Sequence, residues 1–259
     1  MTRLTVFTGA PGLPTVSTVM RLPALVLTLL ALALTGCVSQ TVKTTSVPSL
    51  QAPANPVPEN ELLDVGVSIF DTGIDLVEED ERIYPEVRRA EARYIPQLLT
   101  EVLQNSGVWG AVRVVPDENR ITDLRISGTI LHSDGESLEL RIVARDSRDY
   151  VWLDKVYQGN ASRYAYDAKT RAAYDPFQGV YHNIANDLVR RFDELESAQR
   201  QDIRTVSELL FAKSFSSEAF SGYLDTTRKG KLLVIRLPAD DDPMLERVRK
   251  LRAMRPVAG

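Results

Sequence analysis

The sequence predicts an α/β protein of the α+β kind, a mixed sheet built in the order βαβββα with helices on one face, followed by a C-terminal helix-strand-helix extension. Three observations carry that prediction. Apolar and polar residues alternate through 124–130 and 138–145 on either side of Asp134-Gly135, and an Asp-Gly pair between alternating runs is a strong hairpin signal. Spacing by threes and fours, the mark of an amphipathic helix, dominates 85–105 and 175–197. Short alternating stretches lie on both sides of the first of these segments, which suits a parallel strand-helix-strand unit with a right-handed crossover.

The elements follow in order. Val65, Val67 and Ile69 alternate as a strand within 62–70. From Pro85 to Asn105, Val87, Ala90, Tyr94, Leu98 and Val102, with Ile95, Leu99 and Leu103 beside them, form an apolar stripe that Gly107 brings to a stop. Pro96 inside it removes a hydrogen bond, so the helix either bends there or starts close by. Ala111 to Val115 is a second strand, and Trp109 on the connection is expected to plug the core. In the hairpin, Leu124, Ile126, Gly128, Ile130, Leu138, Leu140, Ile142 and Ala144 face one way, and Arg125, Ser127, Thr129, Glu139, Arg141 and Arg145 the other. A further strand, Tyr150 to Tyr157, follows the Ser147-Arg148-Asp149 turn. Such a sheet has one apolar and one charged face, as expected when helices cover only one side.

Phe177, Tyr181, Ile184, Leu188, Phe192 and Leu195 make the stripe of the second covering helix. Residues 200–224 continue in helical pattern through Ile203, Val206 and Leu210. A strand over Leu232–Leu237 and a last helix opening at Asp242-Pro243 complete the chain, the aspartate suited to the cap and the proline to the first helical position. The main domain is thus 62–198, and the extension 199–259 is expected to pack on it, being short for a core of its own.

The composition, 44% hydrophobic and 25% charged, is that of an ordinary soluble protein. Residues 1–37 depart from it, with no Asp, Glu or Lys and two Arg, so losing them takes the formal charge from −4 to −6. A mildly acidic remainder argues against nucleic acid as a partner, because phosphate neutralisation needs clustered cations. Met20-Arg21, the 13 mostly apolar residues Leu22–Leu34, and then Thr35-Gly36-Cys37 have the three regions of a secretory signal. The run is shorter than the about 20 residues of a membrane span. A signal peptide over 1–36 is expected, with Met20 as the expected translation start. Residues 38–61 hold four prolines and many Ser and Thr without apolar periodicity, so 37–61 is expected to be a flexible tether. Its reach is at most roughly 80 Å extended and on the order of 30 Å as a coil.

Leu34-Thr35-Gly36-Cys37 resembles the lipobox of bacterial lipoproteins, cut just before a cysteine that has been diacylated. The resemblance implies that Cys37, the one cysteine of the chain, becomes the first mature residue and carries acyl chains such as palmitate. Val38 and Ser39 follow it with no aspartate to retain the protein at the inner membrane. The implied location is therefore the periplasmic face of the outer membrane, with the lipid bilayer as a partner through Cys37. The stretch from Tyr94 to Gln158, with "LLTEVLQNSGVWGAVRVV", "TDLRISGTI", "LELRIVARDS" and "YVWLDKVYQG", resembles a group of envelope lipoproteins. These include the curli-secretion lipoprotein, the activators of penicillin-binding proteins and flagellar outer-membrane lipoproteins.

Little in the sequence suggests catalysis. His132 and His182 are the whole histidine supply and neither has metal-ligand spacing. There is no G-x-S-x-G elbow, Walker loop or G-x-G-x-x-G loop, so no cofactor, no metal and no enzyme activity are expected. Glu78-Glu79-Asp80-Glu81 reads as a solvated loop, and Arg247, Arg249, Lys250, Arg252 and Arg255 as a solvated helix end whose cations suit the C-terminal dipole. Arg125, Arg141 and Arg145 should lie together on the open sheet face with Glu139 nearby, either as ordinary solvated surface or as a candidate docking surface for acidic groups. The expected function is that of a noncatalytic, membrane-anchored binding or assembly factor for another envelope protein. The alternatives are an accessory lipoprotein of envelope transport or surface-polymer export and, less favoured, a glycan-modifying enzyme.

Overall fold

A computed structural model describes residues 40–44, 46–76, 84–161, 175–239 and 242–254. Its centre is a six-stranded mixed sheet. The strands are β1 (Gln40–Thr44), β2 (Val65–Ser68), β3 (Val112–Val115), β4 (Leu124–Ser133), β5 (Ser137–Asp146) and β6 (Val151–Asn160), arranged β1-β6-β5-β4-β2-β3. The predicted α/β class and the hairpin hold: β4 and β5 pair antiparallel around a turn with Gly135 at φ 88°, and β6 pairs antiparallel with β5. Strand β2 runs parallel to both β3 and β4, as the strand-helix-strand reading requires.

Helices α1 (Pro85–Asn105) and α2 (Gln178–Asp193) supply the cover. Leu99 and Leu103 of α1, and Ile184, Leu188 and Phe192 of α2, join Leu124, Ile126, Ile130, Leu140, Ile142, Leu153 and Tyr157 of the sheet in one buried core. Trp109 fills the gap between them, its ring 5.5 Å from Phe192 and 6.4 Å from Trp152. Gly128 holds an inward position because the Phe70 ring lies across it, 2.7 Å from where a Cβ would stand.

Two features of α1 differ from the periodic reading. The helix passes through Pro96 without ending. Proline cannot donate to the carbonyl four residues earlier, and that carbonyl, on Ala92, accepts the backbone N–H of Phe70 at 3.0 Å. A gap in the helix ladder thus becomes the link to the chain leaving β2. The first half of the predicted stripe is also turned outward: Val87 and Tyr94 are more than half exposed, and Arg88 is buried in their place. Its guanidinium donates to the carbonyls of Thr72, Ile130 and Ser133 and pairs with Glu91. Carbonyls left over where β4 shifts register between Ile130 and His132 need donors, and an arginine offers five in one plane.

The expectation of a flexible tether is corrected for residues 40–44 and 46–61. Thr41, Val42 and Thr44 are β-branched strand formers, and β1 pairs parallel with β6, Val42 opposite Tyr157. The segment after it lies along α2. Asn186 donates to Ser49 O at 2.9 Å and accepts from Gln51 N at 2.8 Å, while His182 Nδ1 meets Pro48 O at 2.7 Å. Gly179 permits this crossing, since a Cβ there would stand 2.7 Å from Thr44 Cγ2 and 2.9 Å from Ser46 O. Leu50 and Val57 pack on the main core. Composition hides this order because the segment is held by polar contacts from α2 and not by its own apolar period. Asn186→Ala should lower unfolding stability by roughly 0.5–1.5 kcal/mol, the net contribution of part-buried hydrogen bonds to the Ser49–Gln51 backbone. Limited proteolysis should then cut within 46–58, whereas an unchanged urea midpoint would mean that the segment is not held this way.

Beyond the sheet, α3 (Ser197–Phe215) joins two cores: Ile203 belongs to the first, and Val206, Leu209, Phe211 and Ala212 to a second. That second cluster adds Phe220 from α4 (Ser217–Phe220), Leu224 from β7 (Leu224–Thr226), and Leu245 and Val248 from α5 (Pro243–Met254). The helical pattern read over 200–224 therefore breaks after α4 and ends in β7, which pairs antiparallel with β8 (Leu232–Val234). Strand β8 stops short of the expected Leu237, and Ile235 and Leu237 are exposed. Asp242 caps α5 as read, accepting the N–H of Met244 at 2.8 Å. Ser147 Oγ to Ile203 O, at 2.5 Å, and Leu232 N to Arg148 O, at 3.1 Å, join this region to the β5–β6 turn.

Candidate functional site

The face of the sheet opposite α1 and α2 is largely polar, and along β4, β5 and β6 most of its side chains are partly or fully exposed. Register places its residues in rows: Arg125 with Arg145; Ser127 with Val143 and Asp154; Thr129 with Arg141, Val156 and Thr41; His132 with Glu139, Gln158 and Lys43. All three arginines of the candidate docking surface stand on this face, but the structure divides them.

Arg141 is engaged within the protein. Its Nε and Nη2 each donate to Asp154 at 3.0 Å in a two-pronged pair. Hydrogen bonding from Arg141, with added attraction from Arg145, holds the Asp154 carboxyl below its usual range. Arg125 and Arg145 sit directly opposite each other on neighbouring strands, an arrangement of like charges that is unfavourable by itself. Asp149 offsets it. One oxygen of that carboxylate lies 3.6 Å from Arg125 Nη2 and 3.7 Å from Arg145 Nη1, and the other lies 3.5 Å from Lys231 Nζ. Three cations therefore share one carboxylate.

Asp146 sets the position of Asp149. The Asp146 side chain has no exposed surface. It accepts the backbone N–H groups of Arg148 and Tyr150, the Arg148 guanidinium and Trp152 Nε1. Its carbonyl accepts Asp149 N, and Asp149 takes a left-handed conformation at φ 70°. This tight corner turns the Asp149 carboxylate back over the Arg125–Arg145 row. The β3–β4 connection closes the other side with Glu118 and Asn119, leaving a cavity of about 240 Å³ lined also by Ser127 and Val143.

Of the participants here, Asp149, Lys231, Glu118 and Asn119 are absent from the sequence-based set. Asp149 had a weak signal, since it ends the short turn between two strands. Lys231 had none, because it lies 82 residues away from Asp149.

The remaining candidates have structural settings. His132 faces Asp134 at 3.1 Å. Backbone N–H donation from Ser137 and Glu136 and the His132 contact take the Asp134 carboxyl down to about 2. His182 lies under Pro48, as described. In the C-terminal helix Arg249 pairs with Glu208 at 2.6 Å and Lys250 with Glu246 at 3.7 Å. Cys37, the signal segment, Glu78-Glu79-Asp80-Glu81 and Arg255 lie outside the described residues. Among the described residues no group of three or more His, Cys, Asp or Glu is placed to hold a metal ion, and no helix is long and apolar enough to cross a membrane.

No family model and no curated protein matches the chain. Among solved structures it is similar to a Xanthomonas campestris protein of the DUF330 family, at 12% identity and a TM-score of 0.35, over 58% of this chain and 93% of that one. It is also similar to the PelC dodecamer of Paraburkholderia phytofirmans, at 14% identity and a TM-score of 0.31, over 56% of this chain and 95% of that one.

Proposed function

We propose that this protein is a noncatalytic lipoprotein of the bacterial envelope, anchored through acylated Cys37 on the periplasmic side of the outer membrane, whose domain is a binding or assembly factor for another envelope protein. The observation that carries the reading is the one-sided sheet: one face is closed by α1 and α2, and the other is an open polar surface with Arg141 at 54% and Asp154 at 47% exposure. One solvated face is ordinary for such a sheet; the ordered Arg141–Asp154 pair gives this one a defined charge pattern that suits a surface meeting something else.

The order of β1 sharpens the proposal. Strand β1 starts at Gln40, three residues after Cys37. Whatever path those residues take, they span at most about 10 Å. An acylated Cys37 would therefore hold the domain against the bilayer, not on a long leash, and the partner would be met at the membrane surface. A photo-crosslinking residue at Thr129, in the middle of the open face, should yield one discrete adduct in intact cells, while the same group at Arg247 on α5 should not. Equal labelling from both positions, or none from Thr129, would remove the open face as the partner site.

A further inference from the structure

The cavity at the Arg125–Arg145 end of the open face has a ligand chemistry of its own. Arg125 and Arg145 reach Asp149 at 3.6 and 3.7 Å, beyond the about 2.7–3.2 Å of a hydrogen bond. They contrast with Arg141, whose donors are matched at 3.0 Å. Two neighbouring guanidinium groups with donors to spare fit a planar carboxylate or another oxyanion.

The rest of the lining narrows the choice. Glu118 and Asp149 bring two negative charges against the two arginines, and Lys231 adds one positive charge through Asp149. One further negative charge balances the cluster, whereas a doubly charged phosphate would exceed it. Glu118, Asn119 and Ser127 line the same space, and acceptors and mixed donor-acceptors of this kind pair with hydroxyl groups. At about 240 Å³ the cavity is smaller than the about 300–1,000 Å³ that takes drug-sized ligands, a size that suits no more than a single ring.

We propose that this cavity binds an acidic sugar unit of an anionic glycan, its carboxylate between Arg125 and Arg145 and its ring hydroxyls toward Glu118, Asn119 and Ser127. The site is built from residues of the sheet and its loops, so it is independent of Cys37 and of a protein partner on the middle of the face.

Saturation-transfer NMR on the full chain, with D-glucuronate as the probe, tests this. Glucuronate should bind saturably, D-glucose and acetate each at least about tenfold more weakly, since each lacks one half of the recognised chemistry. Arg125→Gln and Arg145→Gln should each weaken glucuronate by about tenfold or more, and Arg141→Gln should leave it within about twofold. Arg145→Lys, which keeps the charge but not the paired donors, should also lose affinity. The comparison of the three ligands needs only the unaltered protein, so a variant that fails to fold does not decide the matter. No glucuronate binding, equal binding of acetate, or preferential binding of poly-L-glutamate would each overturn the proposal, the last two by showing a bare anion site or an acidic-peptide site. Failure here leaves the crosslinking result at Thr129 untouched, so the two readings fail separately.

Discussion

On the proposed anchor, Cys37→Ala should abolish incorporation of a fatty-acid analogue and leave the chain longer than the wild-type product, because Leu34–Cys37 resembles a lipobox, which is cut only after its cysteine is acylated. This is the largest effect expected of any single substitution in the chain. Each acyl CH₂ buried in the bilayer contributes about 0.8 kcal/mol, and two or three chains hold a protein where one holds it only marginally. The sequence offers no second site for this chemistry, since Cys37 is the one cysteine. The measurement is metabolic labelling followed by gel mobility and intact mass. Retained label, or a product of wild-type mass, would reject the anchor and with it the argument that β1 is held within about 10 Å of the bilayer.

Asp146→Ala should cost about 3–5 kcal/mol of folding stability, the range for breaking a buried charge pair and leaving its partners stranded. The carboxylate is wholly buried and serves the Arg148 guanidinium, two backbone N–H groups and Trp152 Nε1. Each loses an acceptor, and the alanine methyl replaces none. Urea unfolding of the purified protein measures the loss, and a change below about 1 kcal/mol would mean that these groups find other partners. The substitution also releases the turn that carries Asp149 over the two arginines. Arg125 and Arg145 would then face each other without the carboxylate that offsets their repulsion.

The parts of this structure that the sequence makes legible are those governed by local period. Alternation through Leu124–Ile130 and Leu138–Ala144 is enough to define the hairpin and the face on which Arg125, Arg141 and Arg145 stand, but not the register shift between Ile130 and His132. Spacing by threes and fours is enough for α2 and for the later half of α1. The earlier half of α1 misleads because Val87 and Tyr94 satisfy the pattern while the interior there needs the donors of Arg88. Residues 40–61 mislead in the opposite sense: their prolines and serines read as tether, while Asn186 and His182, more than a hundred residues away, hold them to α2.

For the candidate site, the residue types and the face were determined by the sequence itself, because a side chain's side of a sheet follows from its parity along the strand. Which of the three arginines is fully matched within the protein was decided by the tertiary structure alone. Arg141 is matched by Asp154 on the neighbouring strand, while Arg125 and Arg145 share Asp149 with a lysine from the distant β7–β8 hairpin. Parity and propensity act between near neighbours, but a charge is paired or left with donors to spare only by what the folded chain brings within a few ångströms of it.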